Sequence, residues 1–124
     1  MSDRSPLFEE LPPNLNICVA LLRHALELGA FPCLRPDLQE SEIVMPPEGG
    51  EFLSFADAQS AVGGYVEVVS PQPWFSELME GDDFVLLVDE DGRMKSLPRN
   101  NVASVLAGRS IVGPALIVPR RSLG

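Results

Sequence analysis

Three consecutive carboxylates, Asp89, Glu90 and Asp91, followed by Gly92, Arg93 and Lys95, make the densest run of ionisable side chains in this sequence. Carboxylates in succession can hold a hard cation. An EF-hand loop, however, spaces its oxygen ligands at alternate positions and closes with a glutamate, and neither feature is present here. The cations after the run, Arg93, Lys95 and Arg99 with Asn100 beside them, are of the types that recognise phosphate or carboxylate. Glu67 is a lone carboxylate between Val66 and Val68, so strand alternation explains it as an outward residue at least as well as chemistry does. Trp74 and Phe75 form the largest aromatic surface. Such a pair either lids a core or anchors a partner, and the core is the commoner fate.

The remaining chemistry-bearing residues lack company. His24 is the only histidine and has no second titratable group near it in sequence, which suits a hydrogen-bonded, partly buried ring better than a general base. Cys18 and Cys33 lack the ligand spacing of a zinc site and read as reduced, packed thiols. No Ser, Cys or Lys stands beside an activating base, and no paired carboxylates suggest an acid and a base tuned apart. The Gly63-Gly64 pair follows a helical pattern rather than opening one, and no Lys-Ser or Lys-Thr comes after it, so it is not a phosphate loop. No catalytic residue, metal or cofactor is expected.

The elements that would position these groups can be read from periodicity. Asn14 is a candidate cap for a helix over 15–28, where Leu15, Cys18, Val19, Leu22 and Leu26 recur at helical spacing before Gly29. Its polar face is narrow, so a second copy or a protein partner is expected to cover it, the alternative being the proline-rich loop at 30–50 folded back over it. Pro32, Pro36, Pro46 and Pro47 exclude a helix interior from 30–50 and leave only 41–45 as a strand. Ser54 and Asp57 form a capping box that opens a helix at 55–62, and Gly63 closes it. Strands are expected at 65–69 and at the apolar run 84–88, the latter buried on both faces. Asp89-Glu90-Asp91-Gly92 then reads as a hairpin turn, with Gly92 left-handed and 93–96 as the returning strand. A short helix at 102–107 and a strand over 111–118, interrupted at Gly113-Pro114, complete the pattern. The fold class is therefore α+β, a mainly antiparallel sheet of about four to five strands with a packed helix and an N-terminal hydrophobic helix. Val62, Tyr65, Val66, Val68, Phe84, Leu86, Val88, Leu106 and Ile117 are the expected core. Gly63, Gly64 and Gly92 are expected to be structural.

At 124 residues, with 45% hydrophobic residues, the chain suits one domain with a single core. The expected division is an extension at 1–42, an α+β domain at 43–118 and a tail at 119–124. No basic segment precedes an apolar run, and no apolar run is long enough for a membrane span, which favours a cytoplasmic protein. The net charge of −9 is unevenly distributed: 37–91 holds fourteen acidic residues and no Lys or Arg, whereas 92–124 holds six Lys or Arg and no acid. Adjacent placement, each segment offsetting the other, is the simplest explanation; an acidic binding face is the alternative. An acidic chain repels nucleic acid at long range, so direct DNA binding is not expected.

A-V-G-G-Y-V-E-V-V at 61–69, V-L-L-V-D-E-D-G-R-M-K at 85–95, L-P-R-N-N-V-A at 97–103 and A-G-R-S-I-V-G at 107–113 together resemble the domain of unknown function 3846 family. The resemblance covers roughly 43–118, carried by G-G-Y-x-E, D-E-x-G and L-P-x-N in order. It implies a small protein of bacterial, plasmid or phage origin and transfers no activity. Two departures stand out: a helix and a proline-rich loop precede the matching region, and Arg99 replaces a small or apolar side chain. Three functions remain open. The first is a non-enzymatic accessory module that binds a protein partner or itself. The second is an acidic decoy that occupies a host nucleic-acid-binding protein. The third is a small-ligand or nucleotide binder using Arg93, Lys95, Arg99 and Asn100.

Overall fold

Phe84-Val85-Leu86-Leu87-Val88 has no polar residue to mark a solvent face, and the computed structural model buries the whole strand inside a five-stranded antiparallel sheet. Residues 13–37, 40–45, 53–79 and 83–123 are described, without the side chains of 13–17, 26 and 78. In chain order the elements are α1 (Pro13–Leu28), β1 (Phe31–Leu34), β2 (Glu42–Val44), α2 (Phe55–Val62), β3 (Val66–Val69), α3 (Pro73–Leu78), β4 (Phe84–Asp89), α4 (Asn101–Ala107) and β5 (Ala115–Pro119), then a 3₁₀ turn, Arg120–Leu123. The strand order is β2-β1-β5-β4-β3. The fold is α+β, as expected.

Side chains of β4 alternate between two cores. Phe84, Leu86 and Val88 join Cys18, Leu22, Phe75, Val102, Leu106 and Ile117 on one face, whereas Val85 and Leu87 join Phe31, Cys33, Ala58, Val62 and Val118 on the other. A strand covered on both sides has no polar phase, which is why this run is continuous. The helices are cut by their caps. Ser54 Oγ accepts the Asp57 N–H at 3.0 Å to start α2, and Gly63 ends it at φ 87°. Asn100 Oδ1 accepts the Ala103 N–H to start α4, and Gly108 ends it in the same left-handed conformation. A residue with a Cβ is disfavoured there, so glycine sets the stop.

Several expectations are corrected. Residues 93–96 are not a strand: β4 pairs β3 on one side and β5 on the other, leaving no position for a hairpin return. The chain after Asp89 instead winds into a helical turn, with Lys95 N–H donating to Asp91 C=O and Leu97 N–H to Gly92 C=O, both at 3.0 Å. Ser96, not Gly92, takes the positive φ, at 55°. A strand at 31–34 was not expected, because Pro32 argues against one. Pro32 is accommodated since β1 pairs β5 only from Cys33 onward. That strand lies between β2 and β5. Helix α1 already includes Asn14, which therefore does not cap it. Pro73 opens α3, its fixed φ suiting a first helical turn. The expected strand over 111–118 splits: Val112 bridges Arg99, and the ladder proper is Ala115–Pro119.

The phase of β3 is also corrected. Val69 is buried, and Tyr65 and Val68 are 65% and 52% exposed. Strand β3 is the last strand of the sheet, so no further strand flanks Val68. The other expected core residues are buried except Val66, which packs partly against the α2-side core.

Candidate functional site

Strand β4 ends in Asp89, whose side chain is only 1% exposed. An isolated carboxylate there would be penalised heavily by desolvation, so it needs partners. Lys95 Nζ supplies one at 2.8 Å, and the Asp91 N–H donates to Oδ1 at 2.9 Å. Burial alone would raise the Asp89 pKa, but the Lys95 hydrogen bond, the Asp91 N–H and the Lys95 charge outweigh it and hold the carboxyl below its ordinary range. Lys95 Nζ also donates to Gly63 C=O at 3.2 Å, placing a cation on the last carbonyls of α2, where the helix dipole favours it. Gly64 lies directly over the pair: a Cβ there would come 2.7 Å from Lys95 Nζ and 2.8 Å from Asp89 Oδ1. Gly92 has the same kind of role, since its Cβ would meet Val112 at 2.9 Å. Of the three glycines, only Gly63 is required for its φ.

This clamp ties three elements together and uses up Lys95. The acidic run does not converge on a cation, because Asp89 turns inward to Lys95 while Glu90 stays exposed. Among the described residues no group of three or more His, Cys, Asp or Glu is placed to hold a metal. Asn100 is likewise committed: its Nδ2 donates to Leu34 C=O at 3.0 Å and Gly113 C=O at 2.9 Å, joining β1 to the start of α4 from within the core. Trp74 packs against the core, edge-on to Phe75 with ring centroids 6.2 Å apart. Arg99 is exposed, its backbone bridging Val112.

Arg93 and Glu67 do come together. With Met94, Arg109 and Ser110 they line a cleft of about 210 Å³ beside β3, below the usual size for a small-molecule pocket. Arg109 Nη2 bonds Glu67 Oε2 at 3.0 Å, and Arg93 Nη2 bonds Ser110 C=O at 3.1 Å, so both guanidinium groups already have acceptors. Arg109 was not singled out from sequence; a cation 42 residues from Glu67 carries no local signal.

The outer boundary of this region is the β3 edge. Register aligns Val66 with Asp89, and Glu90 N–H donates to Tyr65 C=O at 2.8 Å. Hydrogen-bonded pairs alternate in an antiparallel ladder, so the backbone groups of Tyr65, Glu67 and Val69 face β4 while those of Val66 and Val68 face outward. No other group among the described residues bonds them.

A family model described as "Domain of unknown function (DUF3846)" matches residues 35–122, most of the chain. The chain belongs to this family. The match extends beyond 43–118 on both sides and includes β2, the clamp, the cleft and the β3 edge, while α1 and β1 precede it. No curated protein and no solved structure matches the chain, so this DUF3846 domain inherits no activity by similarity. Among the described residues, no helix is long and apolar enough to cross a membrane.

Proposed function

We propose that this DUF3846 domain is a non-enzymatic binding module that takes up an extended protein segment along the outer edge of β3. The observation carrying this reading is the outward row of Val66 and Val68 backbone groups beside exposed Tyr65 and Val68. Unpaired N–H and C=O groups at an edge are a template for another strand, and alternate side chains supply the specificity. Helix α1 offers less, because Cys18, Leu22 and Ala25 are already fully buried against the sheet.

The alternative functions find weaker support. Of Arg93, Lys95, Arg99 and Asn100, three already hold protein acceptors: Lys95 bonds Asp89, Asn100 bonds the Leu34 and Gly113 carbonyls, and Arg93 bonds the Ser110 carbonyl. An acidic decoy would need a continuous negative face. Instead Asp89–Lys95, Glu67–Arg109 and Asp83–Arg120 each pair the acidic segment with the basic one that follows it.

Selection of peptides from a displayed library on the immobilised domain, followed by binding to Val68→Pro, tests the reading. Proline at an outward-facing position removes the docking N–H and no internal ladder bond. Selected peptides are expected to lose Val68→Pro and retain Leu28→Glu on α1. Binding indifferent to Val68→Pro would refute the edge.

A further inference from the structure

The β3 edge is self-complementary, and this extends the binding reading above, on which it rests. We infer that its occupant is a second copy of this chain, paired antiparallel about a two-fold axis through Glu67. With the axis at Glu67, Val66 of each copy pairs with Val68 of the other, and all outward N–H and C=O groups of both strands are satisfied. An axis at Val66 would send Val68 against Gly64, and an axis at Val68 would send Val66 against Ser70, beyond the strand. Only the Glu67 axis keeps the ladder within β3.

The side chains agree with this register. Val66 and Val68 lie on one face, so each half-exposed Val68 would be covered by Val66 of the second copy, a β-branched cross-strand pair. On the other face Glu67 would oppose Glu67 of the second copy, with Cα atoms about 4.5 Å apart in such a non-hydrogen-bonded pair. Two carboxylates in that position repel unless a cation joins them. Arg109 is already there, 3.0 Å from Glu67 and using only Nη2, so its fork has donors left for the second carboxylate. Two glutamates and two arginines then form a closed ring at the axis. A symmetric interface requires this kind of match, because the same patch must complement itself.

Light scattering over a concentration series, with charge variants, tests the inference. Wild type is expected to dimerise, and more weakly at high salt. Glu67→Arg places four cations at the axis and Arg109→Glu places four anions, so each alone is expected to weaken the dimer at least about tenfold. Mixed in equal amounts, the two variants are expected to form a heterodimer, which a merely structural Glu67–Arg109 contact would not produce. Circular dichroism checks that each variant is folded. Val68→Pro is expected to be a folded monomer, and if it fails to fold the charge mixture decides. A monomeric wild type, or charge variants that stay apart on mixing, would overturn the second copy. Peptides that bind a monomeric wild type through Val68 would overturn this inference alone and leave the binding function standing.

Discussion

Replacing Gly64 with alanine should break the clamp at the end of β4 without touching the hydrophobic core. Gly64 lacks a positive φ, so the backbone tolerates a Cβ; what fails is space, because the new methyl would sit 2.7 Å from Lys95 Nζ and 2.8 Å from Asp89 Oδ1. The Asp91 N–H holds the short Asp89 side chain, whereas Lys95 is long and 43% exposed, so the lysine is the group that moves. Asp89 then loses a charge-assisted hydrogen bond worth about 1.5–3 kcal/mol while remaining shielded from water. The lower half of that range is expected, since Lys95 regains solvation on leaving. Urea unfolding of wild type and Gly64→Ala at a series of pH values measures it. Asp89 has a depressed pKa in the folded state, so its stabilisation is complete above the ordinary value of 3.8 and disappears as pH falls through the lower folded value. The gap between the two proteins should therefore be widest near neutral pH and shrink in acid. A loss of stability equal at all pH values would show that backbone strain, not the ion pair, is responsible, and no loss at all would refute the geometry.

Three further outcomes are expected. Gly63→Ala should cost about 1–2 kcal/mol at every pH, because nothing lies near its Cβ and only the left-handed φ is strained, which thermal melting will show. Asn100→Ala should destabilise by about 2–4 kcal/mol in urea titration, losing the α4 cap and leaving the Leu34 and Gly113 carbonyls unsatisfied; Asn100→Asp should not rescue it, since a carboxylate cannot donate to them. Burial raises the Cys18 thiol to about 12 and the Cys33 thiol to about 11, so neither should react with a thiol reagent at mildly alkaline pH until the protein is unfolded, as mass spectrometry after pulsed labelling will report.

What the sequence determined by itself were elements whose caps or composition act locally. The 55–62 helix is correct at both ends because Ser54, Asp57 and Gly63 act within a turn of the residues they cap. The two-faced burial of Phe84-Val85-Leu86-Leu87-Val88 was legible because its composition leaves no solvent phase. Tertiary structure decided the rest. Arg93–Ser96 reads as a returning strand until β5, from distant residues, takes the place beside β4, and 31–34 reads as loop until pairing with β2 and β5 accommodates Pro32. Valines at 66 and 68 look identical in a propensity pattern. One packs partly against the α2-side core and the other is exposed on the last strand of the sheet. The site followed the same division. Glu67, Arg93 and Lys95 were visible as charges, but their meaning came from partners far along the chain. Lys95 belongs to a buried aspartate and Glu67 to Arg109, and the open positions are backbone groups whose direction only the strand register defines.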